Sequence, residues 1–196
     1  SDMCVPSNTT KGTAAAPGDY TAQTGVSVTI PAGSTSTTVS VPTIEDAIFE
    51  GNETFTATIS NPTNATIGTA TGTGTITDDD LQPTVSIDSP STAEGDPMVF
   101  TVSLSNPSVT DVTVTLNTTN GTAIEPGDYT AQTGLTVTIL AGSTSATVSV
   151  PTIEDAIFEG NEAFTATVSK PQGATLGTAT GIATIAENDG APALSI

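Results

Sequence analysis

The chain repeats itself with a period of 109 residues, and this repeat limits the possible folds more than any other feature. Residues 17–25 and 126–134 share the sequence PGDYTAQTG, and residues 41–53 and 150–162 share VPTIEDAIFEGNE. Such a period is too long for a solenoid repeat and matches the length of a small β-sandwich domain. The sequence therefore predicts tandem domains instead of one large domain.

The same offset divides the chain into three segments. The first copy, residues 1–80, has no counterpart of residues 83–109 and is expected to lack two amino-terminal strands. A complete copy occupies residues 81–189, and residues 190–196 begin a third, as in a slice through a longer array. The first copy is then partly disordered or receives strands from another chain. In a further alternative, residues 84–104 fold back onto it.

Apolar and polar side chains alternate through the complete copy, which is the period of half-buried β-strands. The polar positions are dominated by threonine, whose branched side chain suits pleated strands. About seven short strands predict an all-β fold, an immunoglobulin-like antiparallel β-sandwich in two tandem copies. The strands are marked by Val85 and Ile87, Met98 to Leu104, Val112 to Leu116, Leu135 to Ile139, Val148 and Val150, Phe164 to Val168, and residues 180–186.

The charge balance excludes several classes of function. Two basic and 21 acidic residues give a formal net charge of −19, which repels nucleic acids and anionic membranes. No apolar run is long enough to cross a bilayer, so direct membrane insertion is not expected. The chain has no histidine and no nucleophile motif, and its only basic side chains are Lys11 and Lys170. We therefore predict that it is not an enzyme.

Sixteen of the 21 carboxylates are clustered in a few places of the two copies. Apart from Glu94, they lie in the GDY turn, in the IEDAIFEGNE segment and after the last strand, which should all meet at one end of a sandwich. Clustered like charges destabilise a fold unless they are compensated. Ca²⁺ accepts six to eight oxygen ligands in irregular geometry, whereas zinc prefers histidine and cysteine. The charge pattern alone leaves two interpretations open, a calcium site or a solvated acidic surface.

These motifs together resemble the Calx-β domain, a family that includes regulatory domains of sodium–calcium exchangers and repeats of large bacterial surface proteins. The resemblance spans nearly the whole chain and implies Ca²⁺ bound at one end of each sandwich. The ligands would be side-chain oxygens, except that Ile48 and Ile157 would contribute backbone carbonyls. Matching positions implies the ligands Asp19, Glu45, Asp46, Ile48, Glu50, Glu53, Asp78, Asp79 and Asp80 in the first copy, and Glu94, Asp128, Glu154, Asp155, Ile157, Glu159, Glu162, Glu187, Asn188 and Asp189 in the second.

The sequence departs from the family pattern at several of these positions. Glu45 and Glu154 stand where the family has aspartate, and Asn188 replaces an acid of the closing triplet. The first copy has no counterpart of Glu94. We expect the first site to be richer in acids although it lacks this one ligand.

The functional expectation is a calcium-binding structural repeat of a large secreted or cell-surface protein. Calcium would stiffen an extended array of neighbouring repeats, with a role in adhesion to another protein or a glycan. The alternative is a non-catalytic module that binds a glycan, a protein or ice through threonine-rich faces such as residues 69–77, with calcium only incidental.

Overall fold

The protein is built from β-strands. The computed structural model describes residues 1–195 and contains no helix among them, which confirms the predicted all-β class. None of these residues therefore forms a helix that could span a membrane. The chain divides into two compact units, unit 1 from Ser1 to Asp80 and unit 2 from Leu81 onward.

Unit 2 is a two-sheet sandwich. The described residues of this unit contain nine strands, which are β5 (Thr84–Ile87), β6 (Ser91–Ala93), β7 (Met98–Leu104), β8 (Val112–Asn120), β9 (Leu135–Ile139), β10 (Ser145–Val150), β11 (Glu162–Gln172), β12 (Thr175–Leu176) and β13 (Thr180–Ala186). One sheet has the strand order β10-β7-β5-β12 and the other has the order β6-β13-β11-β8-β9.

All seven strands predicted for the complete copy are present and pair with one another in antiparallel fashion, which confirms the predicted antiparallel sandwich. The short strands β6 and β12 were not predicted, and both pair in parallel, β6 with β13 and β12 with β5. With three and two residues, they are too short to show an alternating pattern.

The core of unit 2 lies between its two sheets. Alternate side chains of a strand point to opposite faces, so each strand contributes every second residue to this layer. Phe164 is fully buried, stacks on Tyr129 with ring centroids 4.0 Å apart and meets the edge of Phe100 at 6.0 Å. Complete burial of a side chain of this size contributes about 1.5–3 kcal/mol.

Unit 1 contains four strands, which are β1 (Met3–Lys11), β2 (Val26–Ile30), β3 (Glu53–Ile59) and β4 (Thr71–Ile76). They form a single sheet of order β2-β1-β3-β4, so unit 1 has one of the two sheets of a sandwich. Its buried core is small, with Tyr20 stacked on Phe55 and Ala14 beside them.

The strands predicted at residues 84–104 belong to unit 2. β5 pairs with β7 and β12, and β7 also pairs with β10, so folding back of these strands onto unit 1 is not observed. Residues 36–41, the counterpart of β10, form no strand. β10 pairs only with β7, and unit 1 has no counterpart of β7.

Two equivalent glycines offer a test of this difference. A Cβ at Gly181 of β13 would lie 1.9 Å from the backbone oxygen of Asp88, whereas a Cβ at Gly72 of β4 would have no neighbour within 4 Å. We expect Gly181→Ala to destabilise unit 2 by about 1–3 kcal/mol through overpacking. Gly72→Ala should be neutral or stabilise unit 1 by up to about 1 kcal/mol, because alanine loses less entropy on folding.

Urea unfolding followed by circular dichroism measures both effects. The Gly72→Ala variant is the matched control, since it makes the same chemical change at the same position of the repeat. Equal losses of stability in the two variants would contradict the packing described for β13.

Candidate metal centre

All nine residues singled out in the first copy line one pocket at one end of unit 1. The GDY turn, the IEDAIFEGNE segment and the end of β4 meet there. Neither lysine is among the lining residues. The singled-out residues of this pocket are Asp19, Glu45, Asp46, Ile48, Glu50, Glu53, Asp78, Asp79 and Asp80.

The buried aromatic pair positions two of these carboxylates. Tyr20 directly follows Asp19 and packs on Phe55 with ring centroids 4.6 Å apart. Glu53 begins β3 and, two residues before Phe55, projects from the same face of the strand. The Ile44 N–H donates to the Asp19 carbonyl at 2.9 Å, which ties the IEDAIFEGNE segment to the GDY turn.

Asp78 is the carboxylate that holds the loops together. It accepts hydrogen bonds from the backbone N–H groups of Glu50 at 2.9 Å, Gly51 at 2.5 Å and Asp80 at 3.0 Å. Burial raises its pKa, but these three donors outweigh that effect and hold the pKa below the usual value. Gly51 has a φ of 75°, a conformation that favours glycine.

Glu187 takes the place of Asp78 in unit 2. It accepts hydrogen bonds from the N–H groups of Asp189 at 2.7 Å, Glu159 at 2.5 Å and Gly160 at 2.8 Å. These donors lower the pKa of Glu187. The longer glutamate side chain thus makes the same three contacts as the aspartate of the first copy.

A group of three carboxylates recurs in both units. Asp19, Glu50 and Glu53 each place one oxygen within 4.8 Å of the others, and so do Asp128, Glu159 and Glu162. Partial burial and the adjacent aspartate raise the pKa of Glu53 and that of Glu162 to about 7. The carboxyl groups are close enough to share a proton near neutral pH when no cation is bound.

Glu94 gives unit 2 two further groups of carboxylates. It lies within 4.8 Å of Asp155 and Glu159 in one group, and of Glu187 and Asp189 in the other. Its N–H donates to the Ala186 carbonyl at 3.1 Å, next to the parallel β6–β13 pair. Burial, followed by the charge of Asp155, raises the pKa of Glu94.

The expectation that the first site is the more acidic one is wrong. Each unit contributes eight carboxylates to the singled-out set, because Glu94 compensates for Asn188. Unit 2 arranges them into three groups, against one group in unit 1. The physical reason is that β6, which delivers Glu94, has no counterpart in the sheet of unit 1.

The donor set fits a hard divalent cation. Asp189 Oδ2 is buried and has no hydrogen-bond partner within residues 1–195. A buried charged oxygen without a partner is costly, and a bound cation would remove that cost. The neighbouring groups are all carboxylates, which suit Ca²⁺ or Mg²⁺ and not zinc.

Several singled-out residues also have contacts within their own loop. Asp46 and Asp155 accept hydrogen bonds from the N–H groups of Ile48 at 2.8 Å and Ile157 at 2.7 Å. These contacts shape the loop, and the Ile157 side chain is exposed. Glu45 is also exposed, and the charge of Asp79 raises its pKa.

Asn188, which is predicted to be a ligand, contacts two acidic segments through its side-chain nitrogen. Its amide Nδ2 donates to the Glu94 carbonyl and to Glu154 Oε2, both at 3.1 Å. The amide group therefore bridges two acidic segments that would otherwise repel each other.

Two asparagines that support the site were not predicted from the sequence. Asn52 Oδ1 accepts the Asp78 N–H and Asn161 Oδ1 accepts the Glu187 N–H, both at 3.1 Å. They orient the carboxylate that holds the loops. The available signal was their identical place in the two copies of VPTIEDAIFEGNE.

The fold and the site define a tandem β-domain protein with oxygen-lined acidic sites. The model of the Calx-beta domain family matches residues 1–80 and 78–190, so the chain belongs to the Calx-beta family. No curated protein sequence matches the chain.

Solved structures of the same family share the fold. The CBD12 structure from CALX1.2 is 19% identical, with a TM-score of 0.50, and the match covers 94% of this chain and 88% of that one. The apo-form Calx CBD1 domain is 18% identical, with a TM-score of 0.51, over 56% of this chain and all of that one.

The raised pKa values predict how the metal-free protein responds to pH. Glu53 and Glu162 bind a proton more tightly in the folded state, where their pKa is about 7, than in the unfolded state, where it has the ordinary value of 4.5. The free energy of unfolding should therefore be highest below the ordinary pKa and should fall as the pH rises through about 7. Thermal unfolding in EDTA between about pH 5 and 8 measures this slope.

A double variant, Glu53→Gln with Glu162→Gln, is the matched test. It removes both titrating groups and should flatten the slope, because neither amide can lose the shared proton. A slope as steep as that of the unmodified protein would contradict the assignment.

Proposed function

We propose that the chain is a calcium-binding structural module. The observation that carries this is the recurrence of the three-carboxylate group in both units, together with the buried, unpartnered Asp189 Oδ2. The Calx-beta family to which the chain belongs is calcium-binding. Asp19, Glu50 and Glu53 would hold the ion in unit 1, and Asp128, Glu159 and Glu162 would hold its counterpart in unit 2.

Unit 2 has the donors for more than one ion. Glu94 belongs to two of its three carboxylate groups. Glu159 belongs both to one of these and to the recurring group, so the three groups are adjacent. We infer that Glu94 is a ligand of the added site, with Asp155 and Asp189 from the two loops. Unit 1 lacks this contribution, so its capacity for calcium should be lower.

Calcium is favoured over magnesium by the flexibility of the donors. The oxygens come from loops and strand ends of three separate segments, and magnesium requires a stricter octahedral arrangement and retains its water. The backbone donors of Asp78 and Glu187 keep these two side chains ionised, so they orient the loops without a bound ion. The remaining carboxylates repel one another until a cation neutralises them.

The module is proposed to act mechanically, as part of an extended array in a secreted or cell-surface protein. The repeat of 109 residues supports an array of similar domains. Extracellular calcium modules work at weak affinities, which suits exposed loop carboxylates. Adhesion to another protein or a glycan would be the role of such an array. Binding of a glycan or ice by residues 69–77 also stays a prediction.

Calcium should raise the thermal unfolding midpoint, and magnesium should raise it less. At a free calcium concentration about 100-fold above Kd, each bound ion adds about 2.7 kcal/mol. Asp128→Asn should reduce the calcium-induced shift because it removes a ligand charge from the recurring group. Asp96→Asn is the matched control, since Asp96 lies outside every carboxylate group. A midpoint that does not respond to calcium would contradict the proposal.

Stiffening of the array is tested separately by small-angle scattering. We expect a narrower distribution of intramolecular distances with calcium than with EDTA. Bound calcium neutralises the loop carboxylates, so the loops no longer repel one another. Identical curves, with calcium binding demonstrated by titration calorimetry, would reject the mechanical role and leave the binding intact.

A further inference from the structure

The GDY turn has the same local hydrogen bonds in both units. The Asp19 N–H donates to the Ala15 carbonyl, and the Asp128 N–H donates to the Ile124 carbonyl, both at 3.1 Å. The carboxylate of each aspartate also accepts the N–H four residues before it, at 2.5 Å from Ala15 and at 2.6 Å from Ile124. The aspartates of the two recurring carboxylate groups therefore share one backbone arrangement.

Unit 2 adds a side-chain contact to this turn. Asn120 ends β8, and its Oδ1 accepts hydrogen bonds from the Tyr129 hydroxyl at 2.6 Å and from the Glu125 N–H at 3.1 Å. A backbone N–H can only donate, so the oxygen of the Asn120 amide, and not its nitrogen, faces the turn. Glu125 precedes Asp128 by three residues and Tyr129 follows it directly. One oxygen atom is thus bonded to the turn on both sides of the aspartate.

The core fixes one of these two donors in place. The Tyr129 ring is fully buried and stacks on Phe164 of β11. Asn120 lies at the end of β8, which pairs with β11 through Phe164 itself. The contact between Asn120 and Tyr129 therefore joins the turn to two packed elements, and the turn has less freedom to move.

Lys11 occupies the equivalent position of unit 1. It ends β1, as Asn120 ends β8 109 residues later. An ammonium group has three donors and no acceptor, so it cannot accept a hydrogen bond from the Tyr20 hydroxyl or from a backbone N–H. Its positive charge also opposes the binding of a cation nearby. The two units thus differ at this position in the one group that could hold the turn.

We propose that Asn120 is a positioning residue for calcium in unit 2. Both lone pairs of its Oδ1 are used by the turn, so it acts through Asp128 and does not bind the ion itself. It holds the Asp128 carboxylate beside Glu159 and Glu162 before an ion arrives. A ligand that is already in place loses less freedom on binding, so the affinity is higher. This role rests on the proposed calcium binding at the recurring group.

Titration calorimetry of the whole chain with calcium tests the role. Asn120→Ala removes the acceptor and should weaken the calcium affinity of unit 2 by about fivefold, the effect of one net hydrogen bond. Asn120→Asp keeps an acceptor oxygen in a side chain of the same size. This conservative variant should bind calcium at least as tightly as the unmodified protein.

Asn117→Ala is the matched control. Asn117 lies in the same strand, and its Oδ1 accepts the Gly134 N–H at 2.8 Å. Neither residue belongs to a carboxylate group. The variant should lower the thermal unfolding midpoint in EDTA through the lost hydrogen bond, but its calcium affinity should equal that of the unmodified protein.

The titrations separate two kinds of failure. If the unmodified chain binds no calcium, the proposed function fails and the role of Asn120 fails with it. If the chain binds calcium and Asn120→Ala leaves the affinity unchanged, only the positioning role is overturned. An equal loss of affinity in Asn120→Ala and Asn117→Ala would also overturn it, because the loss would then reflect general destabilisation of the unit.

The reverse change tests the acceptor in unit 1. In an Asp128→Asn background, which weakens the site of unit 2, Lys11→Asn supplies the missing acceptor. Lys11→Met removes the positive charge without supplying one, so it measures the effect of charge alone. We expect Lys11→Asn to bind calcium about fivefold more tightly than Lys11→Met. Equal affinities of the two variants would overturn the role of the acceptor.

Discussion

Repulsion between carboxylates is the interaction on which the architecture of this protein depends. Each unit gathers eight acidic side chains at one end, and the whole chain has only two lysines. Two devices hold the loops in place against this repulsion. A buried tyrosine–phenylalanine stack lies beneath each three-carboxylate group, and one carboxylate, Asp78 or Glu187, accepts three backbone N–H groups. Aromatic rings and backbone N–H groups carry no positive charge, so neither device neutralises the remaining carboxylates. The arrangement therefore favours a bound cation.

Much of this could be predicted from the sequence, because the repeat supplied two independent copies of each motif. The acidic segments of the first copy do meet in one pocket, and the seven alternating segments of the second copy are strands. The contribution of the short parallel strand β6 could not be foreseen, since three residues show no period. That strand precedes Glu94, and for this reason the two units have equal numbers of singled-out carboxylates although the first was expected to have more.

Residues 36–41 and 145–150 show why local sequence does not determine a strand here. They differ only in Thr37 and Ala146, yet only the second segment forms a strand. Val39 is 43% exposed, whereas Val148 at the same place of the repeat is 8% exposed. The preference of threonine and valine for strands is a weak tendency that a neighbouring strand must complete. β7 provides that neighbour in unit 2.

The aromatic stacks have a spectroscopic consequence. The chain has no tryptophan and two tyrosines, one in each unit, and each tyrosine directly follows an aspartate of the acidic site. Both rings are buried against a phenylalanine, so their emission reports on the packing immediately below the carboxylates. Replacing one tyrosine by phenylalanine keeps an aromatic ring in the stack and silences one signal. Each site thus contains its own optical probe, and the two sites can be followed separately without an added label.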